Sequence, residues 1–435
     1  MIDFSLTNIL ELKDILEKFI SINYSFKLES KCAKLITMKE KLDIYFSKVF
    51  CRMRHKTQLF NGAADDHYHT RLQHTLEVEE IAIKIAKLIV KSNNSISVNF
   101  DKLSSIALLH DIGHTPFGHA GERGLHEIVS GSCCDEYKLP DFNKLGIAIG
   151  FKHNLNSGLL YRENVYFDDI DYDVLDGIVK HSKLSFKDSD GLDYGFSYIF
   201  QQTNDISTSQ KTIEGFIVFY ADEIAQVCSD YLDICSHEDS DIMFAKCVPY
   251  NELPSYSDKK RLNAKEACEV LVSLFIRCFL VVKDYREFKD NDFTNALANF
   301  DNYRSKYIIS SDYVSEFDVH SKVVVKSLFA NYFMNPEFML KDFFDDFLYR
   351  VKRIKLTNPY NHAFYIDNLA TKEEIIEFIN DIQKKLTDCV EGRKILSSRD
   401  KKDYQTIMKM YIRSIAVYIS KMTDNYAIHK FEKIA

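Results

Sequence analysis

Apolar residues recur at intervals of three and four along most of the 435-residue chain. That spacing predicts amphipathic helices over 6–20, 40–53 and 71–90, the last carrying Leu72, Leu76, Ile81, Ile85, Leu88 and Ile89 at helical spacing. A polar break at 91–101 precedes a short helix near 102–111. The stretch GHTPFGHAGE (113–122) reads as a loop, because Gly113, Pro116 and Gly118 all disfavour helix continuation. Helices are expected again at 121–130, 154–161 and 171–181, followed by a polar, Gly-containing flap at 183–211 with a short hairpin. A strong helix spans 212–235, with Ile213, Phe216, Ile217, Tyr220, Ile224 and Val227 on one face. After a loop at 236–260 the helical pattern returns at 263–283, 318–333, 337–350, 371–391 and 403–424. The fold class expected is all-α: an N-terminal helical segment (1–29), a helical core (30–235), and a C-terminal helical region (236–435) packed on that core.

Composition agrees with long helices. Only 14 Gly and 6 Pro leave too few turn-formers for a β-sandwich, which needs a turn about every 8–12 residues. A 46% hydrophobic and 28% charged chain has the balance of a soluble protein with a sizeable core. Lys+Arg 56 against Asp+Glu 64 gives a net charge of −8, which argues against nucleic acid as the main partner. The ten cysteines lack paired metal spacing, and the N-terminus carries charges where a signal peptide would be apolar, so a reduced cytoplasmic protein is expected. The longest apolar run, 267–282, holds Glu269 and Arg277 and is too short to span a bilayer.

Histidine changes the picture. Ten of the 14 fall between His55 and His181, where proportional scatter would place about four. At the centre stands LLHDIGHTPFGHAGE (108–122), in which His110 and Asp111 are adjacent at a helix end. One imidazole and one carboxylate can converge on a single divalent cation, although two ligands do not hold it. His74 lies on the preceding helix with Arg71 one turn earlier, and Asp222 lies in the long apolar helix, where an unpaired carboxylate is costly. His74, His110, Asp111 and Asp222 form a two-His, two-carboxylate set that leaves room for water or a phosphate oxygen. On the same helix Asp230 lies about 12 Å beyond Asp222.

A His, a later His-Asp dyad and a distal Asp resemble the HD superfamily of metal-dependent phosphohydrolases. The likeness narrows with SKVFCRMRHKTQLF (47–60), HTRLQHTLEV (69–78), HDIGHTPFGHAGE (110–122), FKHNLNS (151–157), LDGIVKH (175–181), ADEIA (221–225) and YISKMTDNYA (418–427). These segments, in order over roughly 30–435, resemble the deoxyguanosine triphosphate triphosphohydrolase family. The resemblance implies an HD-domain helical core that removes tripolyphosphate from a deoxynucleoside triphosphate. It implies His74, His110, Asp111 and Asp222 as ligands of a divalent ion (Mg²⁺, Mn²⁺ or Fe²⁺), and His119 with Glu122 as the catalytic pair. Arg71, His114 and His153 match triphosphate contacts, with Lys56 as a further local cation, and Gln58 and Asp230 match sugar contacts. A ring-like homo-oligomer, often a hexamer, and a nucleotide effector are implied by the same likeness. His181 is left outside the site, as a residue at a helix C-terminal dipole.

The chain departs from the family pattern at KEKLDIYF (39–46), which contains no Arg, at Gln226, where Tyr is usual, and at Asn425, where Arg is usual. None of these touches the metal set; they bear on base selectivity, phosphate contacts and activation by a second nucleotide. The competing readings are another HD phosphohydrolase, such as a nucleotidase or a cyclic or guanosine-polyphosphate hydrolase, and a non-catalytic nucleotide-binding regulator.

Overall fold

In a computed structural model of the chain, the described residues are 41–58, 69–163, 170–182, 210–234, 264–309, 312–353, 366, 369 and 371–434. The expected helix at 6–20, almost all of the flap at 183–211 and the loop at 236–260 lie outside them. Residues 44–435 make one compact unit, and helices dominate it. Among the described residues the β pairing is one isolated bridge, Thr57 to Thr70.

Two apolar clusters organise this unit. The first is built by α1 (Lys48–Arg52), α2 (Arg71–Ser92), α3 (Phe100–Leu109) and their later partners. Several helices, α2 and α3 among them, begin where a short polar side chain takes up orphan N–H groups. Thr70 accepts from Gln73 N at the start of α2, and Asn99 from Asp101 N and Lys102 N at the start of α3. Next along the chain come α4 (Gly118–Val129), α5 (Phe142–Leu145), α6 (His153–Glu163), α7 (Tyr172–Val179) and α8 (Ile213–Ile234). Of these, α6, α7 and α8 join the first cluster, as do α9 (Ala264–Phe279) and α10 (Asp292–Arg304), which follow residue 235. Phe216, Tyr220, Phe275, Phe288 and Phe293 stack there edge-to-face or tilted, so much of the aromatic content is core.

The second cluster gathers α4, α5, α11 (Asp312–Met334), α12 (Lys341–Lys352), α13 (Lys372–Val390), α14 (Ser398–Ser420) and α15 (Asp424–Phe431). C-terminal helix α11 packs along α4. The Arg350 guanidinium of α12 grips Glu163 at the end of α6 with a 2.6 Å contact. The apolar pattern at 403–424 predicts one helix, but the chain breaks after Ser420 and restarts at Asp424, where Thr423 accepts from Tyr426 N. No helix among the described residues is long and apolar enough to cross a membrane.

The chain passes from one cluster to the other at residues 112–117: Ile112 lies in the first and Phe117 in the second. The expected loop there is shorter than 113–122, because α4 begins at Gly118. Phe117 and Gly118 take left-handed φ values of 63° and 57°, turning the chain sharply enough for a helix to start. At Gly121 an added Cβ would sit 2.0 Å from the Pro116 carbonyl oxygen, so glycine is a packing requirement rather than a helix breaker.

α4 has no side-chain cap of its own. Instead Asp424 of α15, 307 residues away, accepts the Phe117 N–H (2.9 Å) at Oδ1, and the Thr57 N–H (2.8 Å) and hydroxyl (2.5 Å) at Oδ2. Asp424→Ala would leave two backbone N–H groups unpaired, of which Phe117 N–H is buried, at about 1–3 kcal/mol for such a buried group. Thermal unfolding of Asp424→Ala is expected several degrees below the unsubstituted protein, with proteolysis or hydrogen exchange opening first at 112–122.

Candidate active site

The expected ligands come from three helices: His74 from α2, His110 and Asp111 from the end of α3, and Asp222 from α8. His110 ends α3, its Nδ1 donating to the Ala107 carbonyl oxygen at 2.7 Å, so its Nε2 carries the lone pair. That Nε2 is buried and has no hydrogen-bond partner among the described residues, and it lies 3.6 Å from Asp111 Oδ2 and 3.7 Å from Asp222 Oδ1. His74, in the first turn of α2, places Nε2 2.8 Å from Asp222 Oδ1 of α8. Donor atoms of His74, His110 and Asp111 all fall within 4.8 Å of one another. Four side chains separated by up to 148 positions thus converge. Two imidazoles and two carboxylates suit a first-row divalent ion or Mg²⁺, and the orphaned Nε2 of His110 fits that role.

The electrostatics are those of buried charge. Burial pushes the Asp111 carboxyl up, but Arg71, with Nη1 2.6 Å away, and then His110, His114 and His153 hold it well below the usual carboxylate range. Asp222 is likewise pushed up by burial and pulled down to about 2 by the His74 hydrogen bond and by His110. Arg71 is itself placed by backbone carbonyls, donating to Thr57 O (3.3 Å) and Gln58 O (3.4 Å). Gln58 is buried, and its Oε1 has no partner among the described residues, which leaves an acceptor beside Arg71.

Beside this set lies a second group, His114, His119, Glu122 and His153, with donor atoms also within 4.8 Å of one another. Because α4 starts at Gly118, His119 and Glu122 are one turn apart on a helix, and His119 Nδ1 lies 3.0 Å from Glu122 Oε2. The other Glu122 oxygen takes the His153 backbone N–H and its Nδ1, both at 2.9 Å. Burial pushes Glu122 up, and His153 first, then the His119 and His153 hydrogen bonds, bring it well below its usual value. Burial lowers His119 to about 4, aided by Arg71 and His153 and opposed by Glu122. His114 is fully buried, stacked on His153 at 4.4 Å, and neither ring nitrogen has a partner among the described residues. Burial, then Arg71 and His153, drives its pKa well down.

Two sequence expectations change. His181 belongs in the site: its Nε2 lies 3.2 Å from His153 Nε2 and 3.7 Å from Asp111 Oδ1, although its Nδ1 does bond the Ile178 carbonyl at the end of α7. Spacing alone hid this, because His181 follows α7, 70 positions beyond Asp111. Lys56 does not face a substrate: its buried ammonium donates to His114 O (2.5 Å) and Ser420 O (2.6 Å), tying α14 to the HD loop. Asp230 lies two turns along α8 from Asp222, at the separation the helix spacing expects, and 3.5 Å from Arg304 Nη1. Sequence reading also missed Asn156, whose side-chain amide donates to Gly113 O (2.7 Å) and Ser420 Oγ (2.8 Å), and so steadies the same loop.

Comparison with known proteins follows this geometry. The HD-domain family profile matches residues 71–226, the span from Arg71 through Asp222. The chain is 36% identical over 217 residues to a deoxyguanosinetriphosphate triphosphohydrolase-like protein of Desulfatibacillum aliphaticivorans, covering 49% of this chain and 48% of that one. To a like-named protein of Rickettsia felis it is 28% identical over 409 residues, covering 90% and 89%. A third, from Clostridium tetani, is 37% identical over 203 residues and covers 46% of each chain. The stronger identities thus span about half the length of the relatives, and the longer alignment is weaker.

Folded-state values below 6.5 keep the imidazoles of His119 (about 4) and His181 (about 3) neutral where the unfolded chain takes up protons. Their contribution to stability is therefore full above pH ~6.5 and is lost as pH falls towards those values. The melting temperature of the metal-free protein is expected to fall steadily from pH 7 to pH 4.5, and His181→Gln should flatten that fall. A melting temperature independent of pH over this range would contradict the assignment.

Proposed function

We propose that this chain, which belongs to the HD-domain family and within it to the deoxyguanosine triphosphate triphosphohydrolase-like proteins, hydrolyses deoxynucleoside triphosphates to deoxynucleoside and tripolyphosphate. The observation that supports this best is the meeting of buried His74, His110 and Asp111 with half-buried Asp222, beside the pair of partly exposed His119 and buried Glu122. A divalent ion held by those four residues would neutralise charge at the α-phosphate and activate water.

The protein's own residues supply the rest. Tripolyphosphate carries about four negative charges, and Arg71 with the single ring N–H of His114, whose nitrogens have no partner among the described residues, offers donors to its oxygens. Glu122 fixes the His119 ring by bonding Nδ1, so Nε2 is the nitrogen free to exchange a proton with the departing 5′-oxygen. At a value of about 4 the resting imidazole is neutral. Arrival of a polyanion reverses the local field that Arg71 sets, raising His119 towards protonation as substrate binds. The enzyme then takes up a proton with its substrate, and the acid is generated where it is used. Gln58 beside Arg71 and Asp230 farther along α8 are the candidate sugar contacts, and a homo-oligomer with a nucleotide effector belongs to the same reading.

Incubation of the purified protein with each deoxynucleoside triphosphate and Mg²⁺ or Mn²⁺ is expected to give deoxynucleoside and tripolyphosphate by chromatography. Diphosphate plus monophosphate, or free phosphate, would assign it to another hydrolase class. Asp111→Ala should abolish metal loading and turnover. His119→Ala should keep the metal and lose about 10²–10⁴ in rate; unchanged turnover would remove His119 from its role.

A further inference from the structure

We infer that Cys228 of α8 and Cys268 of α9 form a peroxide-sensitive dithiol, which a hydroperoxide closes into a reversible disulfide between the two helices. The inference goes beyond the substrate reading and holds whatever nucleotide the site accepts. Aromatic contacts within the first apolar cluster fix the register of the two helices. Phe216 meets Phe279 at 5.9 Å and Tyr220 meets Phe275 at 5.5 Å between ring centroids. Each step of four residues forward on α8 is therefore a step of four back on α9, an antiparallel pairing. Two more such steps set residue 228 opposite 267–268. There the Cys228 and Cys268 thiols are in hydrogen-bond contact, and both cysteines are free.

The two thiols are not equivalent. Cys228 is buried, whereas Cys268 is half-buried on a stretch of α9 whose Lys265, Glu266 and Glu269 are exposed, so an oxidant from solvent meets Cys268 first. Lys84 of α2 brings a cation to the same rim, its Nζ 3.7 Å from Glu269 Oε1. The hydrogen bond from Cys228, with Lys84 assisting and burial opposing, lowers the Cys268 thiol below its ordinary value. That same bond, together with burial, pushes Cys228 well up. Cys268 is thus the thiol that ionises and attacks, and Cys228 the one that resolves. Cys133 and Cys134, neighbours in the sequence, make a poorer pair: burial pushes both thiols up, Cys133 to about 11, so thiolate is scarce there.

The chemistry balances with one hydroperoxide. The Cys268 sulfur attacks a peroxide oxygen, the O–O bond breaks, and sulfenic acid forms as hydroxide leaves and takes up a proton. The Cys228 sulfur then attacks the sulfenic sulfur, giving up its proton as the S–O bond breaks and water departs. With hydrogen peroxide, two thiols are oxidised to one disulfide and the peroxide is reduced to two waters. Such a bond pins α8 to α9 six residues after Asp222 and two before Asp230, on the helix that carries both.

Peptide mapping tests this on the full chain without substrate. The protein is treated with an equivalent of hydrogen peroxide, its remaining thiols are alkylated, and it is digested without reductant. The expected product is a peptide pair joined through Cys228 and Cys268, two hydrogens lighter than the separate peptides and released by dithiothreitol. Cys228→Ala should give no joined pair and leave a sulfenic acid on Cys268 that dimedone captures. Cys268→Ala should leave Cys228 as a free thiol. Alkylation of both cysteines in the treated unsubstituted protein would overturn the inference. So would sulfinic acid on Cys268 without a joined pair, or a bond from Cys268 to a different cysteine. Should the variants fail to fold, the map of the unsubstituted protein decides alone.

Discussion

The structure depends on one buried negative charge. Asp111 sits 3% exposed at the end of α3, where an isolated carboxylate would be driven to take up a proton. The 2.6 Å contact with Arg71 and the ring of imidazoles around it keep it ionised instead. Breaking such a pair from one side leaves an uncompensated charge at about 3–5 kcal/mol, so Arg71, Asp111 and their neighbours stand or fall together. A carboxylate held ionised in a dry site is also what a hard cation needs. The feature most expensive for folding and the feature most useful for chemistry are the same.

That charge lies where the chain crosses between two apolar clusters, and the crossing is held from several directions. Asp424 fixes the left-handed Phe117 ahead of α4; Lys56 and Asn156 bind loop carbonyls and both reach Ser420. Ser157 Oγ takes the Gly113 N–H, and no side chain fits at Gly113, where a Cβ would lie 2.1 Å from the Ser157 nitrogen. The C-terminal helices therefore form the wall against which the His119–Glu122 helix is set, and the turn at 420–424 matters to the site although it contributes no ligand to it. Burial of Lys56 lowers its ammonium to about 7, the cost of making a cation serve as a clamp for two carbonyls.

Much of this was legible in the chain. Helical periodicity located α2, α3, α8 and most C-terminal helices, and the residue types of HDIGHTPFGHAGE pointed to a candidate cation site whose side chains the fold brings together. Glycine content misled at 118–122, because propensity measures an isolated helix whereas Gly121 is demanded by the Pro116 carbonyl beside it. His181 was hidden because its neighbour Asp111 is 70 positions earlier, a contact made only by the packing of α7 against α3. Lys56 looked like a substrate contact from its charge alone, yet direction of a side chain is settled by tertiary packing. Asp424 carried no signal of its own beyond membership of a motif, since its partners are backbone N–H groups 307 and 367 positions away.

The most direct measurement is anomalous diffraction at the manganese edge from crystals grown with Mn²⁺ and a non-hydrolysable deoxynucleoside triphosphate. The account predicts a peak about 2.0–2.3 Å from nitrogen or oxygen atoms of His74, His110, Asp111 and Asp222, with phosphate oxygens beside it and the His119 ring facing the 5′-oxygen. Density for the metal elsewhere, or these four side chains turned away from any ion, would contradict it.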